Sequence, residues 1–443
     1  MIDVSAEVDR LIRERPGRDF LPVPYDDAAR PMAPGVYGSA GITRAYMVVV
    51  PGGRIIVNTG TGAEAVHHRR LFDEVCDGPT SFIVTTQSHT DHIGGVAAFR
   101  QPGTRYVAQR HFLESRLRDD RFAPLRRRFG APWFEAARAQ AVALAGTTAT
   151  DAPSTNGRPD LGPLQDRPAP DITFDERLSL RVGREDIELL ATPGGETVDS
   201  CIVWLPERST CIVSNLFGPL FPHFPNFNTL RGDRYRHPES YLTSLATVRA
   251  LRPSTMLTGR GDPIVGEELI TAVLGRLHDA VEWVFERTVE GINEGVELEE
   301  LMRRIVLPES LRVGEGYGRV AWAVRAIWEA NLGWFRQRST AELYPLPPEA
   351  SDAELVSLAG ADAVVSRARQ LQASNPVLAI RLGEAVLAAE PDHRDAIELL
   401  RDAHRALLVG GRHENFWLDG WLRHRCAALE ERLDELGASA AST

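Results

Sequence analysis

The chain has 443 residues, 43% of them apolar and 25% charged, with a formal net charge of −11. That length exceeds one typical core, so two or three domains are expected. The acidic balance argues against a nucleic-acid backbone as partner, and no apolar run reaches the roughly 20 residues needed to span a bilayer. The first twenty residues mix charges and lack an apolar stretch of the secretory kind, so a cytoplasmic protein is expected. None of the cysteines (Cys76, Cys201, Cys211, Cys426) forms a C-x-x-C pair, which disfavours a cysteine zinc site and fits packed thiols.

In chain order, residues 1–35 read as a polar, Pro-rich arm. Two β-rich runs at 45–50 and 54–57, split by Pro51-Gly52-Gly53, read as a hairpin. A helical pattern follows at 61–75, then a short buried strand at 82–85 that stops at a polar, histidine-bearing loop. Residues 106–108 form a further candidate strand, and 111–145 an Arg-rich helical stretch. The Thr, Asp, Pro and Gly content of 146–170 reads as a flexible loop. Strands resume at 178–182, 187–191, 201–205, 211–213 and 255–258. Beyond about 268 the pattern turns helical; Val320, Val324, Ile327 and Trp328 fall on one helical face. The reading is therefore an arm (1–35), an α/β domain (36–268), an all-α domain (269–436) and a tail (437–443).

The chemistry concentrates at 82–95, FIVTTQSHTDHIGG. His89, Asp91 and His92 put two imidazoles and a carboxylate within four residues, a donor set that suits Zn²⁺ or Fe²⁺. A tight loop at the end of a rigid strand holds such donors with little freedom to lose. Gly94-Gly95 let the backbone turn closely into a helix. Asn58, before Thr59-Gly60, is placed to hold this loop by hydrogen bonds. His67 and His68 read as solvated residues of an exposed helix. In the aromatic run 216–235, His223 is either a replacement ligand or proton shuttle at a pocket wall, or a residue buried with its loop.

The 87–92 segment resembles the H-x-H-x-D-H signature of the metallo-β-lactamase fold, with Gln87 at the first histidine. The resemblance implies an αββα sandwich of two sheets with metals at one edge. It also implies Gly195 at the place of a Pro-Gly-His turn histidine, Ser214 at a bridging carboxylate, and Arg260 at a final histidine. The segments Leu332-Gly-Trp-Phe335, 342–348 and 390–396 are similar to the dimerisation domain of alkylsulfatases within that superfamily. That likeness implies Glu196 as a metal ligand and, through Asn226-Phe-Asn-Thr-Leu-Arg-Gly232, Arg231 as an anion clamp.

Together these readings give His89, Asp91, His92 and Glu196 as ligands of one divalent metal per chain, Zn or Fe. Gln87 is a weak ligand and Asp199 an alternative one. Asp91 or Glu196 is the proton acceptor, while Arg231, Arg260, Asn226 and His223 face substrate. The expected function is metal-dependent hydrolysis of an ester of a small or medium anionic molecule by a homodimer. Two alternatives stay open: a mononuclear iron enzyme of oxidative or non-hydrolytic chemistry, and a catalytically degenerate dimeric scaffold.

Overall fold

The computed structural model describes residues 3–14, 21, 23–145, 167–227, 230–411 and 414–441. Most of the 146–170 stretch, Asn228 and Thr229 of the 226–232 segment, and the last two residues of the tail lie outside the described residues. The chain forms two compact units, 1–330 and 331–443.

The first unit is built on two sheets. Seven strands lie side by side in chain order: β1 (Arg30–Ala33), β2 (Val36–Ser39), β3 (Ala45–Val50), β4 (Gly53–Val57), β5 (Thr80–Val84), β6 (Arg105–Gln109) and β7 (Ile172–Phe174). The first four pair antiparallel and the last four parallel. The second sheet has six: β8 (Arg177–Val182), β9 (Glu185–Ala191), β10 (Cys201–Leu205), β11 (Thr210–Ser214), β12 (Thr255–Thr258) and β13 (Ile264–Val265). Only β11 and β12 pair parallel there.

Side-chain alternation along a strand produces the four layers. In β10, Cys201, Val203 and Leu205 join the core shared by the two sheets. Ile202 and Trp204, on the other face, pack under helices. In β3, Tyr46 and Val48 enter the inter-sheet core, while Ala45 and Met47 face the outer helices with Phe72, Phe99 and Phe112. Both faces of each sheet are therefore apolar, which is why these strands read as continuous hydrophobic runs. The result is the expected αββα sandwich, followed by an all-helical second unit.

Two regions differ from the sequence reading. The arm contains a helix, Val4–Glu14, and strand β1. Val8 and Leu11 of that helix are buried in the second sheet's outer core, and Asp9 pairs with Arg276 at 2.8 Å. This two-residue apolar stripe among charges was hidden by the segment's polar composition. The shift to helical sequence near 268 also does not coincide with the end of the compact unit, which runs on to Ala330. Helices Glu267–Asn293 and Val320–Leu332 supply Val273, Leu277, Val281, Val320, Val324 and Ile327 to the core over the second sheet.

The second unit holds the helices Pro348–Ala359, Ala361–Leu371, Pro376–Ala389, Arg394–Gly410 and Phe416–Ala441. They pack through small clusters such as Ile397, Leu400, Leu429 and Leu433. Among the described residues no helix is long and apolar enough to cross a membrane.

Candidate functional site

Strand β5, held between parallel neighbours β4 and β6, ends at Val84 and delivers the loop 85–92. Asn58, at the end of β4, locks that loop. Its Oδ1 accepts the Thr86 N–H (2.9 Å) and Thr86 Oγ1–H (3.1 Å), and its Nδ2 donates to Ser214 Oγ (3.0 Å). Asn58 has φ 60°, a left-handed conformation that Asn tolerates better than most residues. Because the Thr86 hydroxyl donates to Asn58, its oxygen lone pair accepts from His92 Nδ1 (3.1 Å). This fixes the His92 tautomer and leaves the Nε2 lone pair facing into the site. Burial pushes His92 down to about 4, against the pull of Asp91, so the ring is neutral at pH 7, the form a metal requires.

Gln87 Nε2 is the meeting point of the site. It lies 2.7 Å from His92 Nε2, 2.9 Å from Glu196 Oε2 and 3.2 Å from His89 Nδ1. Gln87 and His92 are buried, and His89 and Glu196 are nearly so. An amide carries two N–H bonds, yet here three metal-binding atoms gather on it. Two imidazole nitrogens and a carboxylate oxygen directed at one point are a donor set for a divalent cation, so these residues fit the metal that the fold implies. The expectation for Gln87 is adjusted: its amide nitrogen, not its carbonyl oxygen, faces the other donors. The side chain must turn over or withdraw for a cation to sit among them.

Glu196 is placed by backbone geometry. A Cβ on Gly195 would stand 2.1 Å from the Leu216 carbonyl oxygen, and Gly194 has φ 94° with Ser240 Cβ 2.4 Å from where its own Cβ would be. No side chain fits at 195, so the ligand of this turn moves to the next residue. Burial would raise the Glu196 carboxyl, but the His89 ring and the Arg236 guanidinium outweigh it and hold the group well below the usual carboxylate range. Glu196 Oε2 is 3.6 Å from His89 Nδ1, and Glu196 Oε1 is 3.6 Å from Arg236 Nη1.

Asp91 stands at the rim. Its Oδ2 is 3.8 Å from His92 Nε2 and accepts the Thr43 hydroxyl at 2.5 Å. Asn215 Nδ2 donates to Thr43 Oγ1 (2.8 Å) and lies 3.4 Å from His92 Nε2. Burial works to raise Asp91, but His92, His89 and Thr43 keep it ionised and below its ordinary range. Arg260 donates to the Ile42 carbonyl; burial pushes it down to about 10, with Asp91 and Glu64 pulling the other way. It stays cationic beside Asp91, which opposes a second dication there.

The remaining candidates divide. Asp199 accepts from Ser88 Oγ (3.0 Å) and is raised by burial, so it braces the loop from below. His223 Nδ1 accepts the Gly316 N–H (2.8 Å) and its backbone pairs with Gly314, seating it against that segment. The Asn226 carbonyl accepts from Arg236 Nη1 (3.0 Å). Arg231 lies 5.7 Å over the Phe134 ring and senses the charges of Asp233, Glu196 and Asp91. Thr43, Thr86, Asn215 and Arg236 escaped the sequence reading. Asn215 adjoins the Ser214 already singled out, and Arg236 ends the run Arg231-Gly-Asp-Arg-Tyr-Arg236; Thr43 has no local signal.

His68 corrects an expectation. It is fully buried, with Nδ1 2.7 Å from Ser39 Oγ, because its helix Gly62–Asp73 turns that face toward the loop 40–44.

Residues 38–260 match the Metallo-beta-lactamase superfamily model, and residues 297–421 match the Alkyl sulfatase dimerisation model. A linear primary-alkylsulfatase of Pseudomonas sp. is 30% identical over 336 residues, covering 71% of this chain and 60% of that protein. An alkyl/aryl-sulfatase of Saccharomyces cerevisiae is 23% identical, covering 83% and 59%. The chain thus spans about 60% of the length of these curated relatives. Among solved structures, a stereoselective inverting sec-alkylsulfatase from Pseudomonas sp. superposes with a TM-score of 0.75 at 18% identity, covering 98% of this chain and 78% of that one. At that identity the likeness is one of fold.

Proposed function

We propose, for a chain that belongs to the metallo-β-lactamase superfamily, metal-dependent hydrolysis of an ester of a small or medium anionic molecule, of the alkylsulfatase kind. The observation that carries this reading is the gathering of His89 Nδ1, His92 Nε2 and Glu196 Oε2 on one point. Those three residues would hold one divalent ion per chain, zinc by the habit of the superfamily, with Asp91 at the rim of the site. A bound divalent ion supplies a Lewis acid and lowers the pKa of a bound water.

The protein's own groups do the rest. Thr86 fixes His92 as a neutral donor, and Thr43 orients Asp91. Asp91, ionised and not among the three converging donors, accepts the proton of the attacking water. Arg231 neutralises the anionic group of the substrate, as a planar donor fork suits an oxoanion. Arg260 holds the charge balance at the far side of Asp91.

The dimerisation-domain match supports a homodimer. The second unit exposes Trp334 (71%), Tyr344 (66%) and Leu358 (85%), apolar area that a second copy would cover. Four unpaired cysteines accord with a reducing, cytoplasmic setting.

The test is turnover of hexyl sulfate and 4-nitrophenyl sulfate by metal-loaded protein and by His89→Ala. Hydrolysis that disappears in the variant supports the reading; equal turnover in both sinks it. The two-histidine, one-carboxylate set is also that of mononuclear iron enzymes. Iron in purified protein together with O₂ uptake on substrate addition would move the assignment there.

A further inference from the structure

The helices Phe112–Arg121 and Ala123–Ala145 form a corner of the first unit. Arg118 of the first (3.4 Å) and Arg126 of the second (3.0 Å) both pair with Asp233 Oδ1, so the two helices converge on the turn that follows Arg231. A Cβ on Gly232 would meet the Phe129 ring at 3.4 Å. Apolar side chains are left open on this corner: Leu113, Leu117, Phe122 and Phe129 are each between 44% and 68% exposed. Leu113, Leu117 and Arg121 follow one another at four-residue steps, along one line of the helix. Arginines are interleaved with the apolar groups. Residues 110–129 hold seven arginines and three acids, a positive excess within a chain of net charge −11. The acids are already engaged: Asp119 with Arg116 and Arg126, Asp120 with Arg116, and Glu114 with His111. Arg121, Arg127 and Arg128 are exposed and make no ion pair among the described residues. Arg128 instead lies 5.3 Å over the Phe129 ring.

A single exposed apolar residue is ordinary, but four of them among uncompensated arginines have the composition of a surface that enters a lipid headgroup layer. There the apolar side chains leave water, and guanidinium groups on long apolar stems reach back to anionic heads. We propose that this corner docks the protein on an anionic lipid bilayer. Leu117, Phe122 and Phe129 enter the headgroup layer, and Arg121, Arg127 and Arg128 pair with its phosphates. The complementarity of charge selects this occupant: the corner is basic although the chain as a whole is acidic. Docking there sets the turn that carries Arg231 beside the lipid surface, so an amphiphilic ester lying in the bilayer is presented at the site. That last consequence rests on the hydrolase reading; the docking does not.

The experiment is co-sedimentation of the full-length protein with vesicles of phosphatidylcholine alone and of phosphatidylcholine mixed with phosphatidylglycerol. Binding to the mixed vesicles is expected, with little to phosphatidylcholine alone, and it weakens as salt shortens the screening length. The double variant Arg127→Glu, Arg128→Glu is expected to lower the partition coefficient at least about tenfold. Leu117→Ser with Phe122→Ser removes the inserted apolar area and lowers it by a similar factor, about tenfold. All four side chains are exposed, so melting temperature and metal content stay within error of wild type. Wild type that ignores both kinds of vesicle, equal binding to both, or variants that partition as wild type does overturns the proposal. Variants that change the oligomeric state in lipid-free solution assign the corner to a second copy of the chain and overturn it as well. Vesicle binding that depends on these residues, without turnover of any sulfate ester, keeps the docking and removes the hydrolase reading.

Discussion

The two walls of the site are finished to different degrees. Around the loop that β5 delivers, Thr86, Asn58 and Thr43 tie the donors into one hydrogen-bonded lattice, joined by Asn215 from the end of β11. On the wall formed by residues 231–236, Arg231 and Arg236 present N–H groups that no described residue accepts. Ordered lone pairs on one side call for a cation; open donors on the other call for an anion. A hydrolase of anionic esters needs both, and the unequal finish tells which part is preorganised by the chain and which is completed by the ligand.

Breaking the finished wall has the largest expected effect. His89→Ala removes one of three converging donors and is expected to weaken metal affinity by more than about 100-fold, read by metal analysis after dialysis. Retention of the metal would mean that the contrast between the walls is misplaced. Removing a support instead of a ligand is milder. Thr86→Val frees the His92 tautomer and should cost about 10–100-fold in metal affinity, with the melting temperature of the metal-free protein changed little.

The same wall carries a pH signature through His68, which lies behind the loop bearing Thr43. Burial pushes its folded-state value from 6.5 down to about 3. The unfolded chain therefore binds a proton below pH 6.5 that the folded chain refuses until about pH 3. Its stabilising contribution is complete above 6.5 and is lost as the pH falls through that window. At pH 5 the loss is about 2 kcal/mol, measurable by urea unfolding at pH 7 and pH 5. His68→Gln should flatten that dependence; an unchanged slope would place the acid sensitivity elsewhere.

Gln87→His is the smallest change and sharpens the comparison. It replaces an amide at the meeting point by a stronger ligand, and metal affinity should rise about tenfold. A fall would mean that the amide itself is the preferred partner of the three donors.

What was legible in the sequence follows from separation along the chain. The loop donors sit within a few residues of one another, so local pattern exposed them, whereas Glu196 was reached only through the likeness to alkylsulfatases. Thr43 meets Asp91 from 48 residues away, and Asn215 meets Thr43 from 172; only the sandwich brings them together. Arg236 escaped the sequence reading, because an unused guanidinium edge is a property of packing. The layers were legible since both faces of the strands are apolar. The end of the first unit was not, because a helix that covers a sheet looks in sequence like a helix of any other domain.

The central claim is one cation at one convergent point. Elemental analysis of protein purified without chelators tests it most directly. The account predicts about one divalent ion per chain. Two tightly held ions per chain, or none even after incubation with zinc or ferrous iron, would contradict it.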